Sequence, residues 1–248
     1  WRAPIDNDGF KLDAQRPLMP LAAWLDAGFD RYQTKVNTLS VKQTDSGQII
    51  AQIKATAGIP NQLPGITFDQ TYMIYGDGRV KVEFDAQVRP NLPILPRFGV
   101  GLTLPAGFEQ YEWYGRGPHE NYIDRNFGAA VGRYHGTVDD QYIPYIMPQE
   151  NGNKTDVRWL TLTNRNGVGL QVTGLPLLEA TVSHFTTADL FQAHHTHKLT
   201  RRDETFLYLD KQQMGLGGAS CGPPTLPDYV LAASSYQFGF ELRPFINR

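Results

Sequence analysis

Packed antiparallel β-sheets are the fold that this 248-residue sequence predicts, on three observations. Apolar and polar residues alternate with a period of two through 65–88. Short runs rich in β-branched and aromatic residues are punctuated by Gly and Pro turns. Only one stretch carries helical spacing, which argues against a parallel α/β arrangement. A hydrophobic share of 41% with 12% aromatic residues can fill the core of one domain spanning 1–248.

In chain order, Leu18, Leu21, Ala22 and Leu25 form an apolar stripe that predicts a short helix ended by Ala27-Gly28. A strand is expected over 48–55. Residues 65–88 predict a hairpin turning at Gly76-Asp77-Gly78, with Val80, Val82, Phe84, Ala86 and Val88 on the core face and Lys81, Glu83, Asp85 and Gln87 on the wet face. The Pro-rich stretch 90–96 reads as a loop, and 98–104 as the next strand. A second hairpin pairs 157–163 with 168–172 across Asn164-Arg165-Asn166-Gly167, and strands are expected over 206–209 and 236–242.

Charge narrows the partners. With 23 basic and 25 acidic residues the net charge is -2, too weak a field to recruit nucleic acid or an anionic membrane, so a neutral partner such as a sugar is expected. No run of about 18 apolar residues is present to span a bilayer, and a soluble protein is expected. The single cysteine, Cys221, excludes an internal disulfide and leans towards a cytoplasmic location. A start at Trp1 suggests a piece of a longer polypeptide.

The chemistry-bearing residues read modestly one by one. Glu120, Asp124 and Glu150 are candidate carboxylates for glycosidic hydrolysis, which needs two flanking the bond. Their Asn- and Gly-rich neighbours favour turn and capping roles instead. His194, His195 and His197 suggest a metal, but in an extended strand only His195 and His197 share a face and no further ligand follows at suitable spacing, so no metal is assigned. His119-Glu120 lacks the second His of a zinc-protease helix, and Gly215-Leu216-Gly217-Gly218 lacks phosphate-loop spacing; it reads as a tight bend. The sequon Asn153-Lys154-Thr155 reads as chance. Among Trp1, Trp24, Trp113 and Trp159, burial is expected for Trp24 and Trp159, while Trp113 stays open as a sugar-stacking platform.

Four longer stretches say more together. Residues 1–8 (Trp1 to Asp8), 113–125 (Trp113-Tyr114-Gly115-Arg116-Gly117-Pro118-His119-Glu120 onwards), 142–152 (ending Pro148-Gln149-Glu150-Asn151-Gly152) and 214–221 (Met214 to Cys221) jointly resemble the C-terminal domain of the large bacterial β-galactosidases of glycoside hydrolase family 2. The resemblance implies a large β-sandwich related in shape to galactose mutarotases, acting as the last domain of an oligomeric enzyme or within its small subunit. It implies retaining hydrolysis of terminal β-D-galactosides such as lactose. The two catalytic glutamates and the magnesium ligands would lie in a barrel domain absent here. This chain would then carry no catalytic residue, no cofactor and no activity alone.

By the same resemblance, the domain lends a loop to the active-site opening, where a family member stacks a tryptophan on the substrate. Cys221 matches that position, with Ser220 beside it, and a thiol offers a small apolar contact in place of an indole. Pro223, Pro224 and Tyr229 are candidates for lining the same opening. The galactoside at the domain edge and the neighbouring domains or large subunit are the expected partners. Two other classes stay open: an autonomous galactoside-binding module using Trp113 and the Cys221 loop, and a mutarotase-like enzyme with a His and a carboxylate as acid and base.

Overall fold

Antiparallel pairing organises the computed structural model, which describes residues 1–15 and 18–246. In chain order the elements are α1 (Leu21–Asp26), β1 (Gln33–Gln43), β2 (Ile49–Gly58), β3 (Ile66–Ile74), β4 (Val80–Val88), β5 (Arg97–Leu104), β6 (Gln110–Gly117), β7 (Ala130–Thr137), β8 (Lys154–Thr163), β9 (Val168–Ser183), α2 (Thr187–Gln192), β10 (Thr205–Gln213) and β11 (Ser235–Ile246). Strands run in the order β1-β2-β3-β4-β11-β9-β8-β6-β7, with β10 pairing both β9 and β5.

The 16-residue β9 is the fork. Its residues 168–175 pair with β11, and its residues 179–183 pair with β10. That divergence brings β5 over β11 without hydrogen bonds between them: Phe98 stacks on Tyr236 at 4.7 Å and meets Phe238 edge-on at 5.9 Å. Two sheet layers therefore face each other, as a sandwich requires. Val82 and Phe84 of β4, Phe238 and Phe240 of β11, Leu160 and Leu162 of β8, and Leu207 and Leu209 of β10 fill the space between. Each such side chain contributes about 1.5–3 kcal/mol through burial. A second cluster packs Leu21 and Trp24 of α1 against Leu92, Leu95, Met214 and Leu231.

The predicted hairpins form as read, and β4 turns Val82, Phe84, Ala86 and Val88 inward. Three expectations need correcting. Leu18 lies outside the helix, with φ +68° and an exposed side chain, because Pro20 at the N-cap disfavours helical backbone before it. Trp159 is half-buried on the outer face, under Arg133 and near Tyr114. Between Val157 and Trp159 the pairing with β9 jumps from Leu178 to Thr173, passing over residues 174–177, and across this break Val157, Leu160 and Leu162 face the core while Trp159 does not. His194, His195 and His197 follow α2 in an exposed segment containing a 3-10 turn over Thr196–Lys198, not in a strand. Strands β1, β6 and β7 are additions to the sequence reading. Among the described residues, no helix is long and apolar enough to cross a membrane.

Candidate functional site

The four stretches that stand out in the sequence meet in space. Arg2 donates from Nε and Nη2 to the Asp8 carboxylate at 2.9 and 2.7 Å and from Nη1 to the Met214 carbonyl at 2.6 Å, so one buried guanidinium closes the 1–8 turn and ties it to the 214–221 loop. Burial raises the Asp8 carboxyl above its usual range, and the adjoining guanidinium opposes that rise. The 142–152 stretch joins through Gln149, whose Oε1 accepts from the Asp6 N–H at 2.9 Å, and through the Glu150 N–H, which donates to Ala3 O at 3.1 Å. Ile5, Tyr122 and Leu216 bury a small apolar cluster at the junction.

Polar side chains then fix the loop itself. Asp124 accepts the backbone N–H groups of Leu216 and Gly217 at 2.9 and 2.8 Å. Asn7 donates Nδ2 to Gly217 O at 2.8 Å, and its Oδ1 accepts from both the N–H and the hydroxyl of Ser220. Gly217 has φ +62°, and a Cβ there would fall 2.4 Å from Thr225 Oγ1, so only glycine fits this bend. Beyond Ser220 the chain folds back, with the N–H groups of Cys221 and Gly222 both donating to Gly218 O. The result is an anchored turn presenting Cys221, Pro223 and Pro224 to solvent, with Ser220 and Tyr229 half-buried beside them.

The other sequence candidates are committed to the fold. Trp113 is 1% exposed, stacks on Tyr111 at 4.8 Å and lies under the Lys154 ammonium at 5.1 Å, so its ring has no free face for a sugar. It leaves the candidate set. Trp1 packs edge-on against Phe191 and Trp24. Glu120 accepts from the Gly152 N–H at 2.8 Å, from Arg125 and from the Tyr145 hydroxyl. Glu150 accepts from Arg97 at 3.2 Å and Gln213 at 3.1 Å. Asn153 is fully buried and donates to Asn121 O and Glu179, which leaves its sequon no room for a glycan.

Beneath the loop lies a buried polar layer that the sequence did not announce. Arg97 pairs with Asp210 and Glu150, while Glu179 accepts from Asn153 and from the Gln213 N–H. Burial, reinforced by Asp210, lifts Glu179 to about 8; burial lowers Lys154 to about 8, against the pull of Glu120. Arg97, Lys154, Glu179, Asp210 and Gln213 sit on β5, β8, β9 and β10, while Glu150 and Asn153 precede β8, so the layer is assembled from residues distant in sequence and periodicity alone reads the strands without revealing it.

The whole arrangement has relatives. The profile of the beta galactosidase small chain matches residues 1–242. The chain belongs to that family. Within the beta galactosidase small chain family and its kin, this chain is 36% identical over 247 residues to the beta-galactosidase of Priestia megaterium and 35% identical over 246 residues to that of Vibrio cholerae. Each alignment covers 98% of this chain and 23% of the relative, so the chain spans about a quarter of the length of the beta-galactosidases it matches. Among solved structures, the galactose 1-epimerase of Lactobacillus acidophilus aligns over 88% of this chain and 67% of its own, at 11% identity and a TM-score of 0.41.

Proposed function

We propose that this chain is a single-domain part of a retaining β-galactosidase that hydrolyses terminal β-D-galactosides such as lactose. It buttresses the neighbouring domains and presents the Ser220-Cys221 turn at the active-site opening. The observation that carries this reading is the meeting of all four family-like stretches around that one turn, anchored by Asn7, Asp124 and Arg2. The site chemistry agrees: Glu120, Asp124 and Glu150 are each held by protein donors, so none stands paired with another across an open cleft as hydrolysis requires. The catalytic glutamates and the magnesium ion then belong to the remainder of the enzyme, and the galactoside meets this chain only at its edge.

The test is hydrolysis of a chromogenic β-galactoside by the purified chain, by a barrel-bearing partner lacking this domain, and by the two mixed. Silence from each alone and activity on mixing supports the reading, and Cys221→Ala in the mixture should then change KM for the galactoside more than kcat. Turnover by this chain alone, in a preparation free of host enzyme, overturns it.

A further inference from the structure

Away from the 214–221 turn, three strand ends bring a histidine and two carboxylates together. His184 follows β9 directly, Glu109 immediately precedes β6, and Asp139 opens the 3-10 turn after β7. Their ligand atoms all lie within 4.8 Å of one another, with His184 Nε2 at 2.8 Å from Glu109 Oε2 and 4.0 Å from Asp139 Oδ1. Ligands about 2.0–2.2 Å from a tetrahedral ion stand about 3.3–3.6 Å apart, so small side-chain rotations suffice to close the set. The backbone beneath is already fixed, since Val138 N–H donates to Glu109 O at 2.9 Å.

The histidine is oriented as a ligand. Its Nδ1 faces the Glu204 carbonyl at 2.8 Å; a carbonyl only accepts, so Nδ1 carries a hydrogen and the neutral ring leaves its lone pair on Nε2. The ring is 2% exposed, and Nε2 points at the carboxylates. Arg201 Nη2 fills the gap at 2.9 Å from Nε2, 3.2 Å from Glu109 and 3.2 Å from Asp139. No protonation state suits all of these contacts. The neutral ring accepts from Arg201 but sets its lone pair against Glu109 at 2.8 Å, whereas the charged ring donates to Glu109 but sets its N–H against Arg201. A divalent ion in place of the guanidinium satisfies the lone pair and both carboxylates at once. Arg201 is 41% exposed along its side chain and has open solvent to move into.

We propose that Glu109, Asp139 and His184 form a binding site for a zinc-class divalent cation, and that Arg201 occupies it in competition with the ion. The set of one nitrogen and two oxygen donors suits zinc and similar borderline ions better than magnesium. His194, His195 and His197, the histidines whose clustering suggests a metal in the sequence, contribute nothing to this site.

Isothermal titration of the chain with zinc chloride, repeated by cobalt absorbance, tests the proposal. One ion per chain is expected. Asp139→Asn and Glu109→Gln, both at solvent-accessible positions, should weaken binding about tenfold or more, and His184→Gln should abolish it. Arg201→Ala should tighten binding, because it removes the competitor; a purely structural ion-pair role gives the opposite sign or no change. Replacing His194, His195 and His197 by Ala should leave the affinity unchanged. Absence of zinc binding overturns the proposal. So does binding that survives Asp139→Asn and Glu109→Gln intact, disappears with the three exposed histidines, or weakens in Arg201→Ala.

Discussion

Ser220 gives both its backbone N–H, at 3.0 Å, and its hydroxyl, at 2.5 Å, to the same Oδ1 of Asn7, across 213 residues of sequence. The other half of that amide, Nδ2, donates to Gly217 O at 2.8 Å, so one side chain holds both ends of the turn that displays Cys221. Asn7→Asp keeps the size and the Ser220 acceptor but turns an oxygen on the Gly217 carbonyl. Opposing two acceptors should cost about 1–3 kcal/mol in unfolding free energy. It should also speed hydrogen exchange at the amides of 216–221, with the β-strand amides unchanged. Equal exchange in the variant and the parent chain would show that Asn7 does not hold the turn.

Asp124 works from the opposite side, with one oxygen for Leu216 N–H and the other for Gly217 N–H. An amide has a single acceptor, so Asp124→Asn leaves one of those donors facing an NH2 group. Gly215 is coupled to the same carboxylate, since a Cβ there would lie 2.7 Å from Asp124 Cγ. Gly215→Ala and Asp124→Asn should each destabilise by about 1–3 kcal/mol, and the double variant should cost less than the sum because both disrupt one contact. Strict additivity in chemical denaturation would contradict the coupling.

How much of this was legible in sequence depends on what each residue does. The β3–β4 hairpin was plain, because Val82, Phe84 and Ala86 alternate with exposed or half-exposed polar residues on one unbroken register. Strand β8 misled at Trp159, because the register break that turns the indole outward leaves no mark on composition. Strand β1 is exposed along all eleven residues and lacks the buried face on which a period-two reading relies. Cys221 and Ser220 could be singled out from their stretch, whereas the residues that hold them, Asn7 and Asp124, lie about 213 and 93 positions from their partners. Short polar residues of that kind read as turn formers until the fold shows what they bind.

Arg97 tests the buried layer. It is 8% exposed, pairs with Asp210 and Glu150, and has its guanidinium 4.7 Å from the Tyr208 ring. Burial pushes the Asp210 carboxyl up, with Arg97 pulling it back down. Arg97→Met fills most of the volume yet leaves two buried carboxyls without a counter-ion. Stability in urea should fall by about 3–5 kcal/mol. The triple variant with Asp210→Asn and Glu150→Gln should recover part of that loss. Failure of the triple variant to recover any would assign the cost to packing and not to charge.

Glu179 gives the pH dependence its sign. Burial, then Asp210, raises its carboxyl from 4.5 to about 8, so between those values the folded chain keeps a proton that the unfolded chain releases. Stability from this group is therefore complete below pH 4.5, falls as pH rises through the window, and is level again above about 8. Glu179→Gln mimics the protonated state, and its Oε1 can still accept from Asn153 and the Gln213 N–H. The variant should match the parent chain near pH 4.5 and then gain on it by up to about 1.4 kcal/mol per pH unit until the gap levels off. Urea denaturation at pH 5, 6, 7 and 8 reads that gap directly. A gap that stays constant over those four points would mean that Glu179 is ionised throughout in the fold, and its bonds to Asn153 and Gln213 would then be those of a buried carboxylate.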